Sequence, residues 1–324
     1  MTNDRDQSDL LIVGGGPAGI AAALWGKRLG LNPLLLEAGP QLGGQLLRSY
    51  NRSVDCPGFY GLVGADIAER LTTHLLREGI RFQVNAPVTQ ADCAARAVIV
   101  RGEATFSGRA LVLALGARKR RLGIPGEREF AGRGVSASAT RDKEKYRGQE
   151  VIIVGGGDGA FEEALMLDEA GARVTLAHRS GTFRARPLYR DRVLTHPRIR
   201  VMTHTRLVAI EGETAVERVR LEVAPPGEAC RQIALPVTGV FLALGVTAST
   251  ELVAGQVDCD ADGYILTDRF GATSCPGVWA CGDATRPLLS SLSTAFGDGA
   301  TAAKAAFDWL ASQSGSALTG LCLS

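Results

Sequence analysis

The strongest constraint on this chain is a strand, a glycine turn and a helix start that follow one another without a gap. Asp9-Leu-Leu-Ile-Val13 reads as a buried parallel strand and Gly14-Gly15-Gly16-Pro17-Ala18-Gly19 as a G-x-G-x-x-G turn, with Ile20 to Trp25 opening a helix. That order is the first strand–helix unit of a dinucleotide-binding sheet. Gly14 permits the tight turn, Gly16 lets a pyrophosphate approach the backbone, and Gly19 lets helix and strand pack closely. Pro17 and Ala18 belong to the same nucleotide loop. The next strand, Pro33-Leu-Leu-Leu36, ends at Glu37 and Ala38, and a carboxylate there can bind both hydroxyls of a ribose.

The whole unit recurs. Val151-Ile-Ile-Val154 leads into Gly155-Gly156-Gly157-Asp158-Gly159-Ala160 and a helical stretch from Phe161 to Ala170. Gly155, Gly157 and Ala160 stand 141 positions after Gly14, Gly16 and Gly19. The residue 141 positions after Glu37 is His178, and Arg179 follows it. A carboxylate accepts from a free 2′-hydroxyl and repels a 2′-phosphate, whereas Arg179 and, a few residues on, Arg184 can bond that phosphate with charge assistance. The first turn therefore suits an unphosphorylated adenosine ribose, as in FAD or NAD. The second suits NADPH, through Gly155, Gly157, Asp158, Gly159, Ala160, His178, Arg179 and Arg184. Two nucleotide sites on one chain imply a relay in which hydride passes from nicotinamide to flavin.

Composition narrows the class further. Thirty-six Lys and Arg against 34 Asp and Glu leave a net charge of +2, which argues against a nucleic-acid binder. Forty glycines with 13 prolines and no repeating period point to backbone that turns tightly or approaches a ligand, not to collagen or disorder. The seven cysteines are scattered, without C-x-x-C, and the four histidines are unpaired, so no metal site is expected. No apolar run nears the ~18 residues of a membrane span, and no basic-then-apolar leader precedes the first strand. With the cysteine usage, this predicts a reduced, cytoplasmic setting without membrane attachment.

Further segments add to the nucleotide reading. Leu111-Val-Leu-Ala-Leu-Gly116-Ala117 and Gly239-Val-Phe-Leu-Ala-Leu-Gly245 are similar strand-to-glycine segments, each suited to a crossing between domains. Thr273-Ser-Cys-Pro-Gly277-Val-Trp-Ala-Cys-Gly282-Asp283 predicts a short strand and a tight turn whose Asp283 can accept from a ribityl hydroxyl of FAD. Ser290 to Ser293, with Ser291 and Leu292 at their centre, lead into a helix running to about Leu310. Its N-terminal amides favour an anion such as the charge around N1 and the C2 carbonyl of a reduced flavin, with ordinary serine capping as the alternative.

With these residues in view, the chain resembles the low-molecular-weight thioredoxin reductases and their relatives, the thioredoxin-reductase-like ferredoxin–NADP reductases. The resemblance spans roughly Asp9 to Leu310. It rests on both glycine turns, Gly43-Gly44-Gln45-Leu46, His178-Arg179 with Phe183-Arg184-Ala185, and Cys281-Gly282-Asp283. It implies an α/β fold of two doubly wound, Rossmann-like domains, the NADPH domain inserted in a split FAD domain, in a homodimer. The expected boundaries are 1–117 and 246–324 for the FAD domain and 118–245 for the NADPH domain. On the flavin side the resemblance implies Gly44, Gln45, Leu46, Tyr50 as an aromatic stacked on the isoalloxazine, Asp55, Ala117, Gly282, Asp283, Ser291 and Leu292.

Two departures define the function. Ile124 to Ser136 reads like a thioredoxin reductase, but where that family carries its redox-active C-A-T-C this chain has Ser138-Ala139-Thr140-Arg141. Dithiol–disulfide exchange needs an attacking thiolate and a resolving partner, and a hydroxyl with a guanidinium supplies neither. Pro40 to Leu46 with Tyr50, and Ala295-Phe-Gly-Asp-Gly-Ala-Thr-Ala302, lean towards the ferredoxin reductases, although Ala311 to Ser324 lacks the ring-bearing residue those enzymes carry. No protein acid, base or nucleophile is therefore expected: hydride moves between the cofactors, and the electrons leave to a carrier such as ferredoxin or flavodoxin. Arg118-Lys119-Arg120-Arg121 could steer such an acidic partner or be a solvated linker. Three alternatives remain open: a disulfide reductase using other thiols, a small-molecule flavin oxidase, and a non-catalytic redox sensor.

Overall fold

The computed structural model describes residues 7–102, 104–136 and 138–313. The chain divides into two compact units, residues 1–118 with 247–324 and residues 119–246. These borders lie within two residues of Ala117 and Gly245.

The first unit begins as its sequence pattern requires. Strand β1 (Gln7–Val13) enters the first glycine turn, and α1 (Pro17–Arg28) leaves it. Then come β2 (Pro33–Leu36), α2 (Gly64–Arg77), β3 (Arg81–Gln83), the hairpin of β4 (Val88–Asp92) and β5 (Ala97–Val100), and β6 (Thr105–Leu113). The strands form one sheet in the order β3-β2-β1-β6-β5-β4, parallel from β3 to β6 and antiparallel in the hairpin. Because β1 and β2 are covered on both faces, they read as unbroken apolar runs rather than as alternating ones.

Strand β7 (Ala117–Lys119) carries the chain into the second unit, starting with β8 (Val135–Ser136) and the short α3 (Ala139–Asp142). Strand β9 (Glu150–Gly155), α4 (Asp158–Glu169), β10 (Arg173–Ala177), α5 (Pro187–Leu194) and β11 (Arg200–Met202) repeat the first unit's plan. Three antiparallel strands, β12 (Thr205–Glu211), β13 (Arg218–Val223) and β14 (Arg231–Pro236), form a separate small sheet. Strand β15 (Gly239–Ala243) completes the parallel sheet β11-β10-β9-β15-β8, and β16 (Val246–Ala248) returns beside β7. The first unit then closes with β17 (Val278–Ala280), which pairs with the end of β6, and α6 (Leu292–Gln313).

Up to Gly26 helix α1 is made of apolar or small residues only, and Ala18, Gly19, Ile20, Ala21, Ala22, Ala23 and Gly26 are all buried. A helix with no polar face must be covered on both sides, and α1 lies between the sheet and α6. The fit is close at Gly299 of α6, where an added Cβ would lie 2.1 Å from the Ala18 carbonyl oxygen. Gly299→Val should therefore force the two helices apart and lower the unfolding free energy by about 3 kcal/mol, measured by urea titration.

Candidate functional site

At the first turn, Gly16 occupies the position before α1 in extended backbone (φ −75°, ψ 179°), and no side chain caps the helix. Its N-terminal amides have no side-chain partner, the arrangement that favours an anion at a helix start. A Cβ on Gly16 would meet nothing nearer than the Gly44 Cα at 4.0 Å, so the turn's ligand side is open. By contrast, Gly14 (φ +111°) can be no other residue, since its Cβ would fall 2.1 Å from the Ala114 carbonyl oxygen.

Glu37 lies at the end of β2, as expected, and its carboxylate has two backbone partners. Oε2 accepts from the Gly15 amide at 2.7 Å and Oε1 from the Gly39 amide at 2.6 Å, which holds the acid rigidly beside the turn. Across the same unit, the Gln45 side chain donates to Asp283 Oδ2 at 2.7 Å, joining two expected flavin-side residues 238 positions apart. Gly282 adopts φ +69° with its Cβ position 2.9 Å from the Ala18 methyl, so the turn carrying Asp283 abuts the first residues of α1.

The second turn repeats this arrangement with different chemistry. Gly157 precedes α4 in extended backbone, again with no side-chain cap, and a Cβ on Gly157 or Gly159 would touch nothing within 4 Å. The His178 ring presses on Gly156, whose Cβ would lie 2.2 Å from it. His178 Nε2 lies 2.9 Å from Ser180 Oγ and 3.1 Å from the Thr182 carbonyl oxygen. Burial, seconded by the nearby Arg179 and Arg184 charges, pushes its pKa below the ordinary histidine value. The expected cationic pair is thus narrowed: His178 anchors the loop in its neutral form near pH 7, and positive charge rests on the exposed Arg179 and Arg184. The Arg184 amide donates to the Gly156 carbonyl at 2.8 Å, which places that residue against the turn. Asp158 points its carboxylate at Arg186, accepting from the backbone amide at 2.7 Å and from Nε at 2.6 Å, and so braces the loop rather than crowding a phosphate with like charge.

Sequence reasoning left out the two middle glycines. Gly15 is pressed by Glu37 and Gly156 by His178, so the 141-residue register that relates the turns also relates their supports. The signal was present in the triple glycine of both turns, but the G-x-G-x-x-G rule leaves that position unassigned.

Ser138 and Arg141 lie at the start of α3, where Ser138 Oγ accepts from the Arg141 amide at 3.4 Å. Arg141 clamps the neighbouring Asp142 through Nε at 3.0 Å and Nη2 at 2.6 Å, while Lys145 and Ser136 hold the same carboxylate at 2.8 and 2.6 Å. Asp142 is 4% exposed. The Arg141 bonds, aided by Lys145 and Ser136, hold its carboxyl well below the usual range against the opposing effect of burial. A depressed pKa contributes stability that is fully present above the unfolded value, ~4, and is lost as pH falls through the folded one. Asp142→Asn should cost about 1–3 kcal/mol near neutral pH, and the gap from the parent should begin to narrow only as pH falls below ~4, followed by thermal unfolding across pH.

The remaining expected residues are placed as follows. Tyr50, Asp55 and Ala38 are exposed and Leu46 is half-buried. Ala117 begins β7. Ser291 acts as an ordinary serine cap on α6: its hydroxyl accepts from the Thr294 amide at 3.2 Å, its own amide donates to Thr294 Oγ1 at 3.1 Å, and Leu292 starts the helix. The basic run is tied into the crossing strands. Arg118 pairs with Glu251 through two bonds, one of 2.9 Å, and Arg120 Nε donates to the Val246 carbonyl at 2.8 Å. Among the described residues no group of three or more His, Cys, Asp or Glu could hold a metal, and no helix is long and apolar enough to cross a membrane. The C-terminal segment beyond residue 313 lies outside the described residues.

Each unit thus offers an uncapped helix start, glycines whose missing side chains leave open space, and a residue of selective charge at the end of the next strand. This fits a dinucleotide at each turn. Residues 8–299 match the pyridine nucleotide-disulphide oxidoreductase family. A thioredoxin reductase from Mycolicibacterium smegmatis is 38% identical over 317 residues, covering 97% of this chain and all of the relative. A 34.2 kDa protein in a rubredoxin operon of Clostridium pasteurianum is 31% identical, over 93% of this chain and 96% of its own. The crystal structure of Lactococcus lactis thioredoxin reductase (FR conformation) superposes with a TM-score of 0.80 at 31% identity, covering 94% of this chain and 99% of that one. The chain therefore belongs to the pyridine nucleotide-disulphide oxidoreductase family, as an NADPH-dependent flavoprotein oxidoreductase whose cofactors are FAD and NADPH.

Proposed function

We propose that this protein oxidises NADPH without an active-site dithiol and hands the electrons to an external protein carrier, a ferredoxin or flavodoxin, as a homodimer. Residues 1–118 and 247–324 would hold FAD through Gly14, Gly16, Glu37, Gln45 and Asp283. Residues 119–246 would hold NADPH through Gly155, Gly157, Arg179 and Arg184. When bound, these groups supply the hydride donor and an acceptor able to release electrons singly. The chain contributes binding and orientation: uncapped amides at α1 and α4 for pyrophosphate, Glu37 for one ribose, and two arginines for a 2′-phosphate.

The observation that carries this reading is the Ser138–Arg141 segment. In place of two thiols it presents a helix-capping hydroxyl and a guanidinium committed to Asp142. That carboxylate, held ionised by three partners, is also unsuited to donating a proton at neutral pH. A relative from a rubredoxin operon supports electron transfer to a small redox protein.

The test is a comparison of acceptors. The flavin-loaded protein is expected to oxidise NADPH rapidly with ferredoxin and cytochrome c, and at background rate with thioredoxin and a disulfide dye. Turnover only with thioredoxin would overturn the reading. Turnover with neither carrier but with fast oxygen uptake would make it an oxidase.

A further inference from the structure

Three cysteines gather in the core on one face of the first unit's sheet: Cys93, fully buried, and the half-buried Cys259 and Cys275. Two of them open facing turns. The Arg96 amide donates back to the Cys93 carbonyl at 3.2 Å, and the Val278 amide to the Cys275 carbonyl at 3.1 Å. These turns meet along β6, where Gly108 donates to the Arg96 carbonyl and Leu111 to the Gly277 carbonyl, each at 3.0 Å. They also touch directly, since a Cβ on Gly277 would lie 3.0 Å from Arg96 Cδ. Both cysteine backbones are pinned: Gln256 Oε1 accepts from the Cys93 amide at 2.8 Å and Thr273 Oγ1 from the Cys275 amide at 3.2 Å.

Both side chains belong to one apolar cluster, Cys93 buried within it and Cys275 packed against it. Burial first, and then the adjacent Cys275, push the Cys93 thiol up to about 11. Cys259 packs against the same cluster with its Sγ 3.8 Å from the Val257 carbonyl, and burial, Asp260 and Asp258 raise its pKa.

We propose that Cys93 and Cys275 form a second redox site, closing reversibly to an intramolecular disulfide when a low-molecular-weight disulfide oxidises them. The half-buried Cys275 is the one that solvent reaches. Its thiolate attacks the oxidant, forming a mixed disulfide and releasing one small thiol. The Cys93 thiolate then attacks the Cys275 sulfur, forming the protein disulfide and releasing the second small thiol. Two protein thiols lose two electrons and two protons, and the oxidant takes up both pairs. The bond would fasten the β4–β5 turn to the turn that leads through β17 into Gly282 and Asp283. Burial of Cys93 makes closure slow, which suits a response to sustained oxidation rather than a step in turnover.

The full-length protein is incubated with oxidised glutathione, its remaining thiols are alkylated, and unreduced peptides are mapped by mass spectrometry. Titratable thiols should fall from seven to five, with a Cys93–Cys275 link that dithiothreitol reverses. Cys259→Ser should leave that link intact. Cys93→Ser should instead leave Cys275 carrying a persistent glutathione adduct. A dominant link through Cys259, a stable adduct on Cys275 of the unaltered chain, or seven thiols remaining would each overturn the proposal.

Discussion

Gly16→Val is expected to yield a folded protein that retains about a tenth or less of the flavin bound by the parent. The two effects separate because of where the new atoms go. Gly16 has ordinary extended backbone, and its Cβ would approach no protein atom closer than 4.0 Å, so the polypeptide can accommodate the branch. The space it would fill is the ligand side of an uncapped helix start, which a pyrophosphate needs in order to reach the α1 amides. Flavin absorbance relative to the protein band measures the loss, and circular dichroism checks the fold. Retention of full flavin would move the pyrophosphate off this turn. Gly14→Val is the informative contrast: it clashes with the Ala114 backbone and should cost folding as well as flavin.

Arg179→Ala should raise the KM for NADPH by about 10–100-fold while changing that for NADH by about twofold at most. The expectation rests on His178 being neutral near pH 7, which leaves Arg179 and Arg184 as the exposed cations beside the second turn. If both cofactors weaken equally, the arginine does not read the 2′-phosphate. His178→Ala should behave differently. It removes the ring that supports Gly156, so both nucleotides should bind more weakly and together.

What the sequence revealed, and what it hid, follows from how local each requirement is. The glycine turns could be read because a tight turn, a close approach and a helix contact each restrict one position to glycine at fixed spacing. Glu37 and His178 could be found because they end the next strand of the same unit. Other features depended on pairings that the chain makes only when folded. Arg118, one of four basic residues in a row, meets Glu251 from 133 positions away. Gln45 meets Asp283 across 238 positions. The cysteines looked scattered along the chain, yet Cys93 and Cys275 occupy adjoining turns because β5 and β17 share an edge of β6. The α6 start suited either an anion or a serine cap, and the reciprocal bonds of Ser291 and Thr294 show the cap.

Strands β7 and β16 pair as a two-stranded ribbon, bracketed by bonds from Ser249 to Gly116 and from Arg120 to Gly245. The pairing is therefore antiparallel, and it sets Arg118 opposite Thr247, the last and first residues of the outer unit on either side of the insertion. A gene encoding this protein could lose its central 128 codons, from Lys119 to Val246, and need only a tight turn to rejoin the ends. In the same way, the excised piece would begin and end at one place. The middle of the chain thus leaves and re-enters the outer unit at one place, so the nucleotide preference proposed for it would travel with a single continuous segment.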